Sequence, residues 1–399
     1  MRRNTHFDQL PDRYLFKEVA VHAANYQANH PDCRILRMGV GDVSRPLPSA
    51  IIRAMHDAVG ELAYSDTFRG YGPEEGYEWL RQAVIDNEYT PRRISLDIDE
   101  VFISEGAGSD LGNLSELFDS KNSVAILDPS YPAYMDSSLM AGREIISLPC
   151  TISNGFVPEL PRQKADIIYL CLPNNPTGTV LHRDELQRWV NYALENHSII
   201  IFDAAYEAYI SDNDIPHSIY ELDGAKQVAI EVRSFSKSAG FTAVRCGYTV
   251  VPKETGLQGM WMRRQCTKYN GTSYVAQRAA LATFTPEGKR GIKANLAYYK
   301  QTAQIIAGGL TALGYEVYGG ENAPYIWCKT PDNMTSWDFF DFLLNECQVL
   351  CTPGVGFGPS GEGFVRFSAF SQRENCEEAL IRIKNGFREV PCVRSKLSR

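Results

Sequence analysis

The sequence predicts an α/β protein in which a large domain, with a mostly parallel sheet of the seven-stranded type, is joined to a smaller α+β domain. Short apolar runs rich in Ile, Val and Leu alternate with longer segments of helical periodicity, which is typical of a parallel sheet covered by helices on both faces. The pattern changes after residue 285, where a long amphipathic helix leads into short strand patterns. A chain of 399 residues is long enough to bury a large core and to form two domains.

The predicted strands of the large sheet are short apolar runs. They lie at residues 100–104, 123–128, 144–149, 166–171, 198–203 and 227–232. Between two of these runs, residues 183–197 place Leu186, Val190 and Leu194 on one face at helical spacing, which predicts a helix. Parallel strands need a crossover connection of this kind.

The C-terminal part predicts the smaller domain. Apolar residues recur at helical spacing from Ile292 to Leu313, and Gly314 is a suitable residue just beyond a helix end. Strands are predicted at 325–329 and 364–368. Because the ends of a two-domain chain often meet, we assign residues 1–45 to an N-terminal arm and part of the small domain, 46–288 to the large domain and 289–399 to the C-terminal small domain.

Composition and charge argue against several classes of protein. The net charge is −8 and no block of basic residues occurs, so no nucleic-acid partner is expected. The apolar runs are far shorter than a membrane span needs, and the N-terminus lacks the apolar region of a secretory signal, so a cytoplasmic protein is expected. Ten cysteines show no C-x-x-C pair and seven histidines show no ligand spacing, which predicts reduced thiols and no metal site.

Polar and glycine-rich segments follow the predicted strands, where ligands bind in open α/β sheets. After the strand at 100–104 comes "GAGSDLG" (106–112), a turn that opens a helix and can bind phosphate through backbone N–H groups. A dinucleotide-binding turn is the alternative, but the glycine spacing differs from that fingerprint and the turn comes late in the chain. The glycine turn is therefore predicted to bind a phosphate of another ligand.

Aromatic, amide and carboxylate side chains follow the next strands. Tyr131 is placed to stack on a flat heteroaromatic ring, although a core tyrosine in a proline-fixed turn is the alternative. The rigid turn "PNNPTG" (173–178) presents Asn174 and Asn175 as amide donors. Asp203 ends the strand at 198–203, and Tyr206 follows it in "DAAY".

A single lysine, Lys237, lies in "SFSKSAGFTAVR", close to Ser234, Ser236 and Arg245. This pattern predicts a Schiff-base lysine of a pyridoxal 5′-phosphate enzyme, with the serines and the arginine binding the cofactor phosphate. An ionised Asp203 in a buried site needs a cation, and a protonated pyridine nitrogen is a natural partner. The order of these segments at successive strand ends favours this cofactor over the separate structural interpretations.

The chain then resembles a known family. The order "PNNPTG", "DAAY", "SFSK" and a following arginine resembles the fold-type I pyridoxal-phosphate-dependent aminotransferases. The likeness to the LL-diaminopimelate aminotransferase family is closer and extends over nearly the whole chain. It includes "YLF" (14–16), "RGYGPEEG" (69–76), "DPSYPAYMDSS" (128–138), "YNGTS" (269–273), "APY" (323–325) and "TPGVGFGPSGEGFVRFS" (352–368).

The resemblance implies roles for individual residues. It implies Lys237, Asp203 and Tyr206 as catalytic residues. It implies a cofactor site made of Ala107, Gly108, Tyr131, Asn175, Asp203, Tyr206, Ser234, Ser236, Lys237, Arg245 and, from the partner subunit of a homodimer, Tyr71. It implies a substrate site made of Tyr14, Gly41, Glu74, Tyr131, Asn175, Asn270 and Arg366, with Arg366 as the clamp for the substrate α-carboxylate.

The implied activity is amino transfer from LL-2,6-diaminopimelate to 2-oxoglutarate, which yields tetrahydrodipicolinate and glutamate in lysine biosynthesis. One departure bears on the substrate, since the family usually has a lysine where this chain has Gly108. A paralogue that transaminates lysine or another amino acid is therefore an alternative, and a non-catalytic ligand-sensing domain is a remote one. Ala243 and Tyr248, where glycine and tryptophan are usual, are expected to be packing changes.

Overall fold

A computed structural model describes residues 1–389 of the chain. The strands are β1 (Leu36–Arg37), β2 (Val101–Ser104), β3 (Val124–Asp128), β4 (Ile145–Pro149), β5 (Ile167–Cys171), β6 (Ile199–Asp203), β7 (Ala229–Ser234), β8 (Gly247–Val250), β9 (Val317–Gly319), β10 (Tyr325–Lys329), β11 (Val349–Leu350), β12 (Thr352–Pro353) and β13 (Phe364–Ser368). The helices are α1 (Leu15–Asn29), α2 (Ser49–Glu61), α3 (Glu78–Val84), α4 (Ala107–Leu114), α5 (Pro132–Met140), α6 (Arg183–Asn196), α7 (Ala225–Val228), α8 (Phe235–Ser238), α9 (Gln258–Lys268), α10 (Tyr274–Thr283), α11 (Pro286–Ala312), α12 (Ser336–Cys347) and α13 (Arg373–Glu389).

The large sheet has seven strands in the order β2-β8-β7-β6-β5-β3-β4. All neighbours pair in parallel except β8, which runs antiparallel to both β2 and β7. Every residue of β2, β3 and β5 is buried, as expected for strands covered on both faces. The predicted α/β class and mostly parallel sheet are confirmed.

A second sheet of four strands, in the order β12-β13-β10-β9, lies in the C-terminal part. Its central strands β10 and β13 are the ones predicted from "YIWCK" and "FVRFS". Strand β1 in the N-terminal segment pairs in parallel with β11, so this segment meets the C-terminal part of the chain. The domain boundaries at residues 45 and 288 stay a prediction, and residues 390–399 of the last predicted domain lie outside the described residues.

The two predicted helices are present, and local contacts explain where they begin and end. Helix α6 buries Leu186, Trp189, Val190 and Ala193, a stripe like the predicted one. Helix α11 begins after Thr285, whose side chain accepts a hydrogen bond from the backbone N–H of Gly288 at 3.1 Å. Two residues after α11 ends, Gly314 adopts φ +90°.

The run predicted as a strand at 227–232 is shifted in the structure. Its first residues belong to the short helix α7, which buries Ala225 and Val228, and β7 extends from Ala229 to Ser234. Apolar residues at both ends of the run are buried in different elements, which the sequence pattern does not distinguish. The extension matters because it brings Ser234 to the edge of the sheet.

Within residues 1–389, no helix combines the length and the apolar character that a membrane crossing requires. The same residues contain no group of three His, Cys, Asp or Glu side chains placed to hold a metal ion.

Candidate active site

A cavity of about 520 Å³ lies at the carboxyl ends of the strands of the large sheet. Each of the segments that follow β2, β3, β5, β6 and β7 contributes to its wall. The predicted residues among its lining are Gly41, Ala107, Gly108, Tyr131, Asn175, Asp203, Tyr206, Ser234, Ser236, Lys237, Arg245 and Arg366. The fold thus brings most of the predicted site together.

One end of the cavity is an anion cradle at the start of α4. Gly106 precedes this helix with φ +114°, and a Cβ there would lie 3.2 Å from Arg245 Nη2 and 3.8 Å from Ser234 Oγ. Glycine therefore allows the helix start to approach both side chains closely. The amides of Ala107 and Gly108 are in the first helical turn, where N–H groups lack intrahelical acceptors. A guanidinium, hydroxyls and free amides at one point fit a phosphate group.

Asp203 lies at the base of the cavity, and its side chain is buried. Tyr134 Oη donates to its Oδ2 at 2.6 Å, and the backbone N–H of Ala205 donates to its Oδ1 at 3.0 Å. Burial raises the pKa of Asp203, and among residues 1–389 no cation forms an ion pair with it. Such a carboxylate fits a ligand that brings its own positive charge, as a protonated ring nitrogen does.

Two further groups line the middle of the cavity. Tyr206 Oη lies 2.8 Å from Tyr325 Oη. Asn175 accepts a hydrogen bond from Arg366 Nη1 through Oδ1 at 2.6 Å, and the described residues give its Nδ2 no acceptor. A phenol and an amide N–H are therefore available to a ring oxygen, as the sequence predicts.

Arg366 is fully buried and has no carboxylate partner among the described residues. Its guanidinium donates to the backbone oxygen of Gly39 at 2.7 Å and lies 4.2 Å from the ring centroid of Tyr325. Nε has no hydrogen-bond partner in residues 1–389, and burial lowers the pKa of the group. A buried guanidinium held only by neutral groups is set to bind an anion.

Lys237 Nζ donates to the backbone oxygen of Gly41 and lies 5.5 Å from the ring centroid of Phe370. The pKa of Lys237 is lowered to about 8, because burial lowers it more than the nearby Asp42 raises it, and the cations Arg366 and Arg245 add to the lowering. A substantial fraction of the amine is therefore neutral near pH 8, which is the nucleophilic and basic form.

Not all predicted residues line the cavity. Asn174 is buried and donates to Thr177 Oγ1 at 2.9 Å, so it holds the turn rather than a ligand. Tyr14 lines an adjoining cavity. Tyr71, which is 93% exposed, lies outside the cavity of this subunit, as do Glu74 and Asn270.

The sequence analysis assigned no role to two tyrosines that the site uses. Tyr134 bonds Asp203, and Tyr325 bonds Tyr206 and packs on Arg366. Both lie in strings that carried the resemblance, "YPAY" and "APY". Their spacing along the chain gives no sign of the contact, because Tyr325 belongs to the second sheet and meets Tyr206 only in the fold.

Comparison with known proteins agrees with this geometry. The model of the family described as aminotransferase class I and II matches residues 34–383. The chain belongs to this family. Its members are pyridoxal-phosphate-dependent aminotransferases, and in this chain Lys237, Asp203 and the anion cradle line one cavity.

Individual relatives show which group within this family the chain is most similar to among those compared. An LL-diaminopimelate aminotransferase of Phocaeicola vulgatus is 54% identical over 96% of this chain and 98% of its own length. One of Lawsonia intracellularis is 52% identical over the same shares of the two chains. The structure of L,L-diaminopimelate aminotransferase from Chlamydomonas reinhardtii superposes with a TM-score of 0.92 at 43% identity, covering 97% of this chain and 99% of that one. The resemblance to the LL-diaminopimelate aminotransferase family is confirmed.

Proposed function

We propose that this enzyme, with pyridoxal 5′-phosphate as its cofactor, transfers an amino group reversibly between LL-2,6-diaminopimelate and 2-oxoglutarate, giving tetrahydrodipicolinate and glutamate in lysine biosynthesis. The observation that carries the proposal is the buried, carboxylate-free Arg366 in the same cavity as Lys237. It provides an anion site for an amino acid beside an amine with a lowered pKa. The identity to relatives that carry this activity supports the choice of substrate.

Different residues of the cavity would hold different parts of the cofactor. Ser234, Ser236 and Arg245, with the Ala107 and Gly108 amides, would hold the phosphate. Asp203 would hold the ring nitrogen in its protonated form, with Tyr134 fixing the carboxylate. Tyr131 would pack on the ring, and Tyr206 and Asn175 would donate to its oxygen. When bound, the cofactor supplies an electron sink for the electron pair left on the substrate α-carbon.

Arg366 and Lys237 act on the substrate itself. Arg366 binds the α-carboxylate in a bidentate manner and thereby orients the α-carbon. Lys237 Nζ accepts the α-proton as general base, a role that its pKa of about 8 suits near neutral pH. Asn175, bonded to Arg366, links the group that holds the substrate to the group that holds the ring oxygen.

We also propose that the enzyme acts as a cytoplasmic homodimer whose partner completes the site. Gly271, the residue after Asn270, lies close to Glu74, since a Cβ on Gly271 would lie 3.8 Å from the Glu74 Cα. Tyr71 is almost fully exposed a few residues away. A phenol, a carboxylate and an amide grouped outside the subunit's own cavity have a purpose if they enter the partner's site.

A half-reaction tests the proposed function. Purified enzyme loaded with the cofactor is mixed separately with LL-diaminopimelate, meso-diaminopimelate, lysine and glutamate, and the absorbance of the cofactor is followed. Rapid conversion with the LL isomer and glutamate alone supports the proposal. Preference for lysine would favour the alternative of a paralogue that transaminates another amino acid. Conversion that persists in Lys237→Ala would contradict the role of that lysine.

A further inference from the structure

Tyr325 connects the second sheet to the active-site cavity. It is the first residue of β10, and the antiparallel pairing of β10 with β13 sets Trp327 opposite Arg366. Tyr325, two residues before Trp327, is therefore a diagonal neighbour of Arg366 on the adjacent strand. The guanidinium lies 4.2 Å from the centroid of the Tyr325 ring, and both side chains line the cavity. The second sheet thus presents this phenol and the proposed carboxylate-binding arginine as one unit.

The hydroxyl of Tyr325 reaches a residue at the carboxyl end of the large sheet. Its Oη lies 2.8 Å from the Oη of Tyr206, which follows β6. Both phenols are buried, and neither Oη has another hydrogen-bond partner among residues 1–389. A phenol has one hydrogen to donate, so one member of the pair donates to the other and a single hydrogen is left for a ligand. Which tyrosine keeps that hydrogen decides what the pair can bind.

The charge of Arg366 decides the direction of this hydrogen bond. Burial raises the pKa of Tyr206 well above its ordinary value. Burial also raises the pKa of Tyr325, but there the Arg366 cation is the main influence in the opposite direction. The other titratable groups that face Tyr325, Cys171 and Tyr131, add to the rise. A hydroxyl beside a cation is the more acidic one and hence the stronger donor, so Tyr325 donates to Tyr206 and Tyr206 keeps its hydrogen for a group in the cavity.

We propose that Tyr325 is a positioning residue for the amino transfer: its hydroxyl donates to Tyr206 and thereby directs the single hydrogen of Tyr206 to the ring oxygen of the cofactor. Linked hydrogen bonds polarise one another, so Tyr206 also becomes a stronger donor. Arg366 holds the ring of Tyr325 in place, which ties this hydrogen bond to the carboxylate site. The assignment rests on the proposed function, since the ring oxygen belongs to the proposed cofactor.

The pH dependence of the cofactor's absorbance tests this role. In the loaded enzyme the ring oxygen, as a phenolate, attracts the proton on the nitrogen of Lys237 that holds the cofactor. Hydrogen bonds to the ring oxygen weaken this attraction, so they lower the pKa of that nitrogen. Tyr325→Phe removes one hydroxyl and keeps the ring on Arg366. The pKa read from the absorbance should therefore rise by about 0.3 to 1 unit, as expected when one hydrogen bond is weakened or lost.

A double-mutant cycle and a matched control show whether Tyr325 acts through Tyr206. Once Tyr206→Phe has removed the link, Tyr325→Phe should cause no further shift of the pKa. Tyr220 is another buried phenol, which donates to the backbone oxygen of Val250 at 3.0 Å outside the active-site cavity. Tyr220→Phe should lower the free energy of unfolding and leave the pKa of the loaded enzyme unchanged. All these variants retain the charged groups that also act on the pKa of the lysine, namely Asp42, Arg366 and Arg245.

The outcomes separate this proposal from the proposed function, because the absorbance titration needs no substrate. A wild-type pKa in Tyr325→Phe would overturn the proposal, and so would an equal shift in the presence and absence of the Tyr206 hydroxyl. If the loaded enzyme fails to convert LL-diaminopimelate but shows the predicted shifts, the proposed substrate fails and the role of Tyr325 stands. If it converts LL-diaminopimelate and the pKa does not move in Tyr325→Phe, the proposed function stands and Tyr325 has only a packing role.

Discussion

Two buried arginines occupy opposite electrostatic environments. Arg233 of β7 is 3% exposed and pairs with Glu231 at 2.8 Å and with Glu207 at 3.0 Å. Arg366 of β13 is fully buried and, among the residues that the structure describes, meets neutral oxygens and aromatic rings but no carboxylate. The surrounding carboxylates raise the pKa of Arg233 despite its burial, whereas burial lowers the pKa of Arg366.

The difference between the two environments distinguishes an arginine with a structural role from one that is available to a ligand. Burying a charge costs several kcal/mol unless other groups compensate. Around Arg233 the protein supplies that compensation itself, since Glu231 also accepts hydrogen bonds from Tyr89 and Ser218. Around Arg366 the described residues supply no carboxylate, and the counter-charge would come from the carboxylate of the proposed substrate. A buried arginine is therefore best interpreted by the carboxylates near it rather than by its burial.

The largest expected effect is a loss of stability when Arg233 is replaced. Arg233→Met leaves Glu231 and Glu207 without their main cation, and the free energy of unfolding should fall by about 3–5 kcal/mol. Urea denaturation of the purified protein measures it. Arg233→Lys should lose less because the charge remains. Wild-type stability of Arg233→Met would mean that the cluster has no structural role.

The corresponding change at the other arginine should affect catalysis instead. Arg366→Met removes the proposed partner of the substrate carboxylate, which should cost about 2–5 kcal/mol and lower kcat/KM about 30- to 5,000-fold. Its unfolding free energy should fall less than that of Arg233→Met, because no carboxylate is left unpaired. Steady-state assays test the predicted loss of kcat/KM, and the same urea titration tests the predicted change in unfolding free energy. A variant as active as wild type would place the carboxylate site elsewhere.

A pH series sharpens the comparison, because Arg366 and Arg245 both face Lys237. Burial and these cations lower the pKa of Lys237, so the neutral amine predominates above pH 8 and is lost as pH falls below it. Cofactor binding by the apoenzyme should therefore slow about tenfold between pH 9 and pH 7. Absorbance measures the rate, with a free lysine derivative as reference. A rate that keeps rising tenfold per unit above pH 9 would indicate an ordinary lysine.

The smallest expected effect is a change in stability at Gly108, a position that contacts neither Arg233 nor Arg366 in this comparison. Gly108→Ala adds a methyl group where no atom lies within 4 Å, in the first turn of α4. Alanine restricts the unfolded chain and favours helix, so the unfolding free energy should rise by about 0.5–1 kcal/mol. A loss of stability would contradict the open space around Gly108.

The sequence alone determined the fold class, the strands around the site and most groups that would hold the cofactor. These are local properties. Apolar runs fix the strands, and Asp203, Asn175 and Lys237 follow them directly, so that the order of motifs along the chain is also the order of groups around the cavity.

Only the tertiary structure decided which groups are paired. Tyr134 and Asp203 are far apart in sequence, as are Tyr325 and Tyr206, and no pattern announces their hydrogen bonds. The same holds for Tyr14 and Gly108, which line the same adjoining cavity although more than ninety positions separate them. A side chain's protonation and ligand preference depend on the charges and the burial that surround it, and distant segments supply both once the chain has folded.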